Sequence, residues 1–145
     1  MESGVSEQQG RVELGGGIAL VIDEQVARLR LGQPEERAVT LNETRIEGLE
    51  RAIARVAEIP GLAGLVIHSS RPGMFCAGAD VQLIEQVNDP AVAEELARRG
   101  QEIFDRIAAL PCTTVAVISG PCVGGGYELA LACDYRVAVD SSDTK

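Results

Sequence analysis

Three short apolar runs alternate with two stretches of helical character, and this alternation limits the folds open to the chain more than any other feature. The runs are 62–67 (LAGLVI), 115–118 (VAVI) and 135–139 (YRVAV). In the first two, unbroken apolar character over so few residues suits strands covered on both faces, and the third, which carries Arg136, reads as a further strand. Asp89-Pro90 opens the main helical stretch between the first two runs, as an N-cap followed by the residue best tolerated in a first turn. Its expected stripe is Val92, Leu96, Ile103, Ile107 and Leu110, and Pro111 stops it. Between the second and third runs, a glycine-rich turn at 120–126 (GPCVGGG) leads into a helix expected at 127–133. Strand, helix, strand, helix, strand implies right-handed βαβ crossovers and a parallel sheet.

Upstream, 18–22 and 26–31 read as two paired strands, ended by Gly32-Gln33-Pro34. Thr40 and Glu43 have the spacing of a capping box. Ile46, Leu49, Ile53 and Val56 then follow at helical spacing, with Arg and Glu on the other face, until Pro60-Gly61 ends the helix. Asp80 reads as the cap of a further short helix at 81–87, and residues 1–15 read as a polar tail.

Composition narrows the function. The chain has 145 residues and 46% apolar content, enough for one substantial core and too little for two ordinary domains. A net charge of -9 argues against nucleic acid and against an anionic membrane surface as the main partner. Cys76, Cys112, Cys122 and Cys133 form no CxxC pair and have no nearby His, so buried reduced thiols are expected and no metal site. The first ten residues are polar and acidic, unlike a signal peptide, and no apolar run reaches membrane-spanning length. A soluble, cytoplasmic protein is the expectation.

The unusual residues fall in two loops, each following the C-terminal end of an expected parallel strand, the edge at which open α/β sheets bind ligands. One is Met74-Phe75-Cys76-Ala77-Gly78-Ala79-Asp80, and the other is the turn from Gly120 through Gly124, Gly125 and Gly126. Small residues let backbone approach a ligand and leave amide N–H groups unobstructed. Each loop runs into a helix N-terminus, where unpaired N–H groups favour negative charge. Either loop alone could serve only tight strand-to-helix packing. Two facing one another could donate to a single oxygen and hold an oxyanion.

Glu128 strengthens this reading. It stands in an otherwise apolar helix (YELALAC), expected to be buried all round, where an unpartnered carboxylate is costly. It follows Gly125 by three residues, about one turn, within reach of a ligand on that amide. A first-turn acid that merely answers the helix dipole is the other reading of the same residue. Of the remaining candidates, His68 reads as structural, Asp134 as a cap or solvated acid, and Arg71 as an exposed loop residue. No GxGxxG stands after a strand and no GxxxxGK[ST] occurs.

At 75–81 (FCAGADV) and 118–138 (ISGPCVGGGYELALACDYRVA) the sequence closely resembles the enoyl-CoA hydratase/isomerase, or crotonase, family. The likeness runs from about Ile18 to the end and includes LVIHSS and ARRGQEIFDRIAALP. It looks most like the hydratase portion of the multifunctional fatty-acid oxidation branch, in which a hydratase is joined to a 3-hydroxyacyl-CoA dehydrogenase. The resemblance implies an α/β, crotonase-like (ClpP/crotonase) spiral of ββα units. It implies a 2-enoyl-CoA substrate, coenzyme A entering as part of that substrate, and no prosthetic group. A homotrimer-based oligomer, or a β-oxidation complex with a thiolase, is the implied assembly.

By motif, Ala79 and Gly125 match the two oxyanion-hole amides, and Glu128 matches the first of two catalytic glutamates. Ala77, Gly78, Ala79, Asp80, Val81, Gln82, Gly124 and Gly125 match the substrate-binding stretch. The family's second glutamate lies about twenty residues beyond the first, past Lys145. Residues 16–145 are therefore expected to be the N-terminal portion of a hydratase domain, which would leave the isolated chain inactive. An enoyl-CoA isomerase, another crotonase-type enzyme and a non-catalytic module remain the alternatives.

Overall fold

The computed structural model describes residues 10–79 and 85–145. Six strands form one sheet in sequence order: β1 (Arg11–Gly15), β2 (Ile18–Asp23), β3 (Val26–Leu31), β4 (Gly64–Ser69), β5 (Thr113–Ile118) and β6 (Tyr135–Ala138). β1 to β3 pair antiparallel, and β3 to β6 pair parallel. Helices α1 (Glu43–Ala57), α2 (Pro90–Ala108) and α3 (Gly125–Ala132) connect and cover them. The parallel pairing and the α/β class agree with the sequence reading; the burial on both faces expected of β5 does not, since its residues alternate between buried and more exposed positions.

β1 is a correction, because residues 11–15 were expected in the polar tail. Val12 and Leu14 are half-buried where β1 pairs with β2, and Arg51 donates to the Leu14 carbonyl (2.8 Å), fixing that strand to α1. α1 is capped by Asn42 rather than Thr40. The Asn42 carboxamide oxygen accepts the Arg45 N–H at 2.9 Å, and asparagine is the stronger cap of the two. β4 begins at Gly64 rather than at residue 62, since the register with β3 starts at Val26 opposite Gly64. The helix expected at 81–87 falls largely on residues outside the described ones.

The core lies between one sheet face and the helices. Leu29, Leu31, Leu65, Ile67 and Ala116 are fully enclosed on the sheet side; Leu49, Ala52, Ile53, Ile103 and Ile107 meet them from α1 and α2. The stripe expected along α2 is only partly realised. Its C-terminal half is buried through Ile103 and Ile107, whereas Val92 is 47% exposed and Leu96 half-buried. α3 also departs from expectation. It buries Gly126, Leu129 and Ala130, while Tyr127, Glu128 and Leu131 face outward.

Arg45, expected on the solvent face of α1, is 2% exposed. Its guanidinium donates to the Gly16 carbonyl (2.8 Å), the Thr40 carbonyl (2.6 Å) and the Glu36 carboxylate (2.6 Å). One side chain thereby anchors the segment between β3 and α1 to the β1–β2 turn. A buried charge is tolerable on such terms because each of the three guanidinium nitrogens has an acceptor, one of them a carboxylate.

The four cysteines are free and buried, as expected. Burial pushes the Cys122 and Cys133 thiols up to about 11, so they stay protonated and inert near neutral pH.

Candidate active site

The two small-residue loops meet as backbone. Phe75 and Cys76 donate to the Pro121 carbonyl (3.1 and 3.2 Å), and Val123 donates to the Cys76 carbonyl (3.2 Å). These bonds extend the β4–β5 pairing beyond the sheet edge. On its other side the first loop is held by the segment before α1: Ala77 donates to Val39 (2.8 Å), and Leu41 donates to Gly78 (2.7 Å).

Glycine is required at two of these contacts. A Cβ on Gly126 would stand 2.3 Å from the Cys76 carbonyl oxygen. Gly78 has φ +86°, and its Cβ would stand 3.0 Å from the Val123 oxygen and 3.1 Å from the Gly125 nitrogen. The sequence therefore places small residues where two backbones touch.

The close approach brings Ala79 and Gly125 together. A Cβ built on Gly125 would lie 4.0 Å from the Ala79 nitrogen. Among the described residues neither the Ala79 nor the Gly125 N–H has an acceptor. Gly124, in the N-cap position of α3, offers no side chain, so the helix's first donors are not taken up by a capping group.

Both residues line a cavity of about 410 Å³, and Glu128 lines it too. Glu128 is exposed rather than enclosed, which corrects the expectation of a buried carboxylate. The cause is packing: α3 covers the sheet edge with one face only, and Glu128 lies on the other, beside the cavity. Its own N–H is held by the Gly124 carbonyl (3.0 Å), fixing the first turn from which it projects.

The rest of the wall was not read from the sequence as part of a site. Leu41 and Ile46 contribute from the start of α1, and Ala93, Leu96, Gly100, Gln101 and Phe104 from α2. Most of this lining is apolar. The signal available was the spacing of Ala93, Ala97, Gly100 and Phe104, a helical face distinct from Ile103 and Ile107. Glu128 is the one ionisable side chain lining the cavity among the described residues.

Ala77 and Gly78 sit in the paired loop and Gly124 at the start of α3; Asp80, Val81 and Gln82 lie outside the described residues. His68 is half-buried in β4, in register with Arg30 of β3 and Val117 of β5, and burial lowers its pKa. Asp134 is neither a cap nor merely solvated. Its carboxylate accepts the Thr114 N–H (2.8 Å) and hydroxyl (3.2 Å), joining the end of α3 to β5. Arg71 is half-buried and occupied by the Glu36 carbonyl (2.9 Å).

Comparison with known proteins decides the family. The enoyl-CoA hydratase/isomerase family model matches residues 21–144. The chain belongs to this family. The fatty acid oxidation complex subunit alpha of Vibrio campbellii is 45% identical over 128 residues, covering 88% of this chain. The subunit of the same name from Vibrio vulnificus is 45% identical over 127 residues, covering 87%. This chain spans 18% of the length of each of those relatives.

An enoyl-CoA hydratase/carnithine racemase from Magnetospirillum magneticum superposes with a TM-score of 0.81 at 26% identity, covering 93% of this chain and 50% of that one. An enoyl-CoA hydratase/isomerase family protein from Hyphomonas neptunium gives 0.76 at 32% identity, covering 84% and 47%. The fold is thus crotonase-like. No described helix is long and apolar enough to cross a membrane, and no cluster of three metal-ligating side chains occurs among the described residues.

Proposed function

We propose that the protein containing these residues is an enoyl-CoA hydratase, adding water syn across the α,β double bond of a trans-2-enoyl-CoA in fatty-acid β-oxidation. The observation that carries this reading is one cavity lined jointly by Ala79, Gly125 and Glu128, the first two with free N–H groups among the described residues. Negative charge that develops on the thioester oxygen during addition would be held between those two amides. Preorganised donors of this kind are worth most where charge appears only in the transition state.

Glu128, one turn along α3, orients the attacking water and handles its proton. The water oxygen bonds to Cβ of the substrate and a proton is delivered to Cα, so no group leaves. A second carboxylate, which the family resemblance puts beyond Lys145, would share this proton traffic. Coenzyme A enters only as part of the substrate. Cytoplasmic action within a trimer-based or thiolase-containing complex extends the same reading; the names of the relatives support membership of a fatty acid oxidation complex and nothing finer.

The same two amides would hold the enolate oxygen of any thioester, so a double-bond shift, with Glu128 as the base that takes a proton and returns it, is the second reading. Enoyl-CoA isomerase is that alternative.

The test is Glu128→Gln in the full-length gene product, assayed with crotonyl-CoA and with a 3-enoyl-CoA. Hydration should fall at least about 100-fold, the usual contribution of a positioned acid–base group. Crotonyl-CoA hydration that stays within about threefold of wild type removes Glu128 from the mechanism. Turnover of the 3-enoyl substrate alone selects the isomerase.

A further inference from the structure

We propose that Gly100 sets the length of acyl chain admitted by this cavity, keeping it open to chains longer than four carbons; the inference rests on the acyl-CoA reading above. Gly100 lies in the interior of α2, where glycine is less favourable than alanine because its backbone loses more freedom. Two structural reasons usually explain such a glycine, and neither holds. Its φ is not positive. Nor does another described element press on it, for among the described residues a Cβ added at Gly100 meets nothing within 4 Å.

Gly48 in α1 makes the contrast. A Cβ there would stand 2.3 Å from the Gly15 carbonyl oxygen, so close packing demands that glycine. Among the described residues the space beside Gly100 is free, and Gly100 lines the cavity.

The cavity wall on α2 extends from Ala93 to Phe104, about 16 Å at 1.5 Å per residue. It is a trough along the helix rather than a spherical hole. A tail lying in that trough passes Gly100 part-way, with Phe104 beyond it. At about 410 Å³ the cavity exceeds what a four-carbon acyl group fills, given that one water takes roughly 30 Å³ in the liquid and a methylene occupies a similar volume. The missing side chain is what leaves the middle of the trough passable.

The experiment compares butanoyl-, octanoyl- and dodecanoyl-CoA by titration calorimetry on the full-length gene product. The variants are Gly100→Leu, Gly100→Ala and a control, Val92→Leu, which adds bulk at an exposed position of the same helix outside the cavity. Wild type is expected to bind dodecanoyl-CoA more tightly than butanoyl-CoA. That ratio should fall about tenfold in Gly100→Leu and about twofold in Gly100→Ala, in proportion to the apolar contact displaced, and hold in Val92→Leu.

Gly100→Ala should also melt a few degrees higher, from its better helix propensity, so it remains readable if the leucine variant fails to fold. An unaltered ratio in a folded Gly100→Leu, or equal weakening at every chain length, overturns the proposal. Wild-type protein that binds none of the three thioesters instead removes the acyl-CoA reading on which it rests.

Discussion

The two halves of α2 are made from similar residues and end in different surroundings. The C-terminal half places Ile103 and Ile107 at 1% exposure between α1 and the sheet. The N-terminal half carries Ala93, Leu96 and Ala97, comparably apolar, yet these border a cavity, whose wall continues on the face away from Ile103 and Ile107 as far as Phe104. An apolar side chain in the first half gives up water without gaining full contact, so it contributes less to stability than the same side chain further along. A helix that encloses one end and leaves the other unfilled is built to pack at one place and to receive a ligand at another. Arg99 marks the boundary. Its guanidinium grips Glu50 of α1 through two bonds (2.9 and 2.8 Å), one residue before Gly100.

The largest expected effect tests the closed half. Ile107→Ala removes a side chain from a site with no room to collapse and should cost about 2–5 kcal/mol, read from urea or thermal unfolding. Leu96→Ala is its counterpart on the cavity side and should cost only about 1 kcal/mol, because Leu96 is half-buried and borders open space. Equal losses for the two substitutions would mean that the cavity is closed in solution, and the contrast between the halves would disappear.

This contrast explains what could be read from the residues alone. Asp89-Pro90 announced the start of α2, and the Asp89 carboxylate does accept the Ala91 N–H at 2.9 Å. The parallel strands followed from apolar runs separated by helical spacing, which is local information. The small residues of the two loops were visible too, because a glycine at a backbone contact has no substitute. What failed depended on neighbours distant in sequence. Arg45 looks like any polar helix residue until Gly16, Thr40 and Glu36 surround it. Val12 and Leu14 in β1 became interpretable only once β2 lay beside them. Glu128 sits in a helix apolar enough for full burial, and its exposure is decided by how far the sheet and α2 extend over it. The cavity wall was missed for a related reason: Leu96 at helical spacing reads as core whether the space opposite is filled or empty.

The smallest expected effect concerns the boundary itself. The Arg99 guanidinium beside Glu50 holds that carboxyl below its ordinary value of 4.5, mainly through their hydrogen bonds. The folded chain therefore keeps Glu50 charged to lower pH than the unfolded chain does. The resulting stabilisation is complete above pH 4.5 and is lost as pH falls through the lower folded value. For a pair this close to the surface it amounts to about 0.5–1 kcal/mol. Glu50→Gln should thus be less stable than wild type at pH 7 by that margin, and the gap should close as the pH is taken below the lowered folded value of Glu50. Urea midpoints at several pH values measure it, and a gap unchanged across that range would show that the ion pair is not its source. No gap at all would mean that the pair's attraction only offsets the cost of ordering and desolvating it, and that packing at Ile103 and Ile107 alone fixes the closed half.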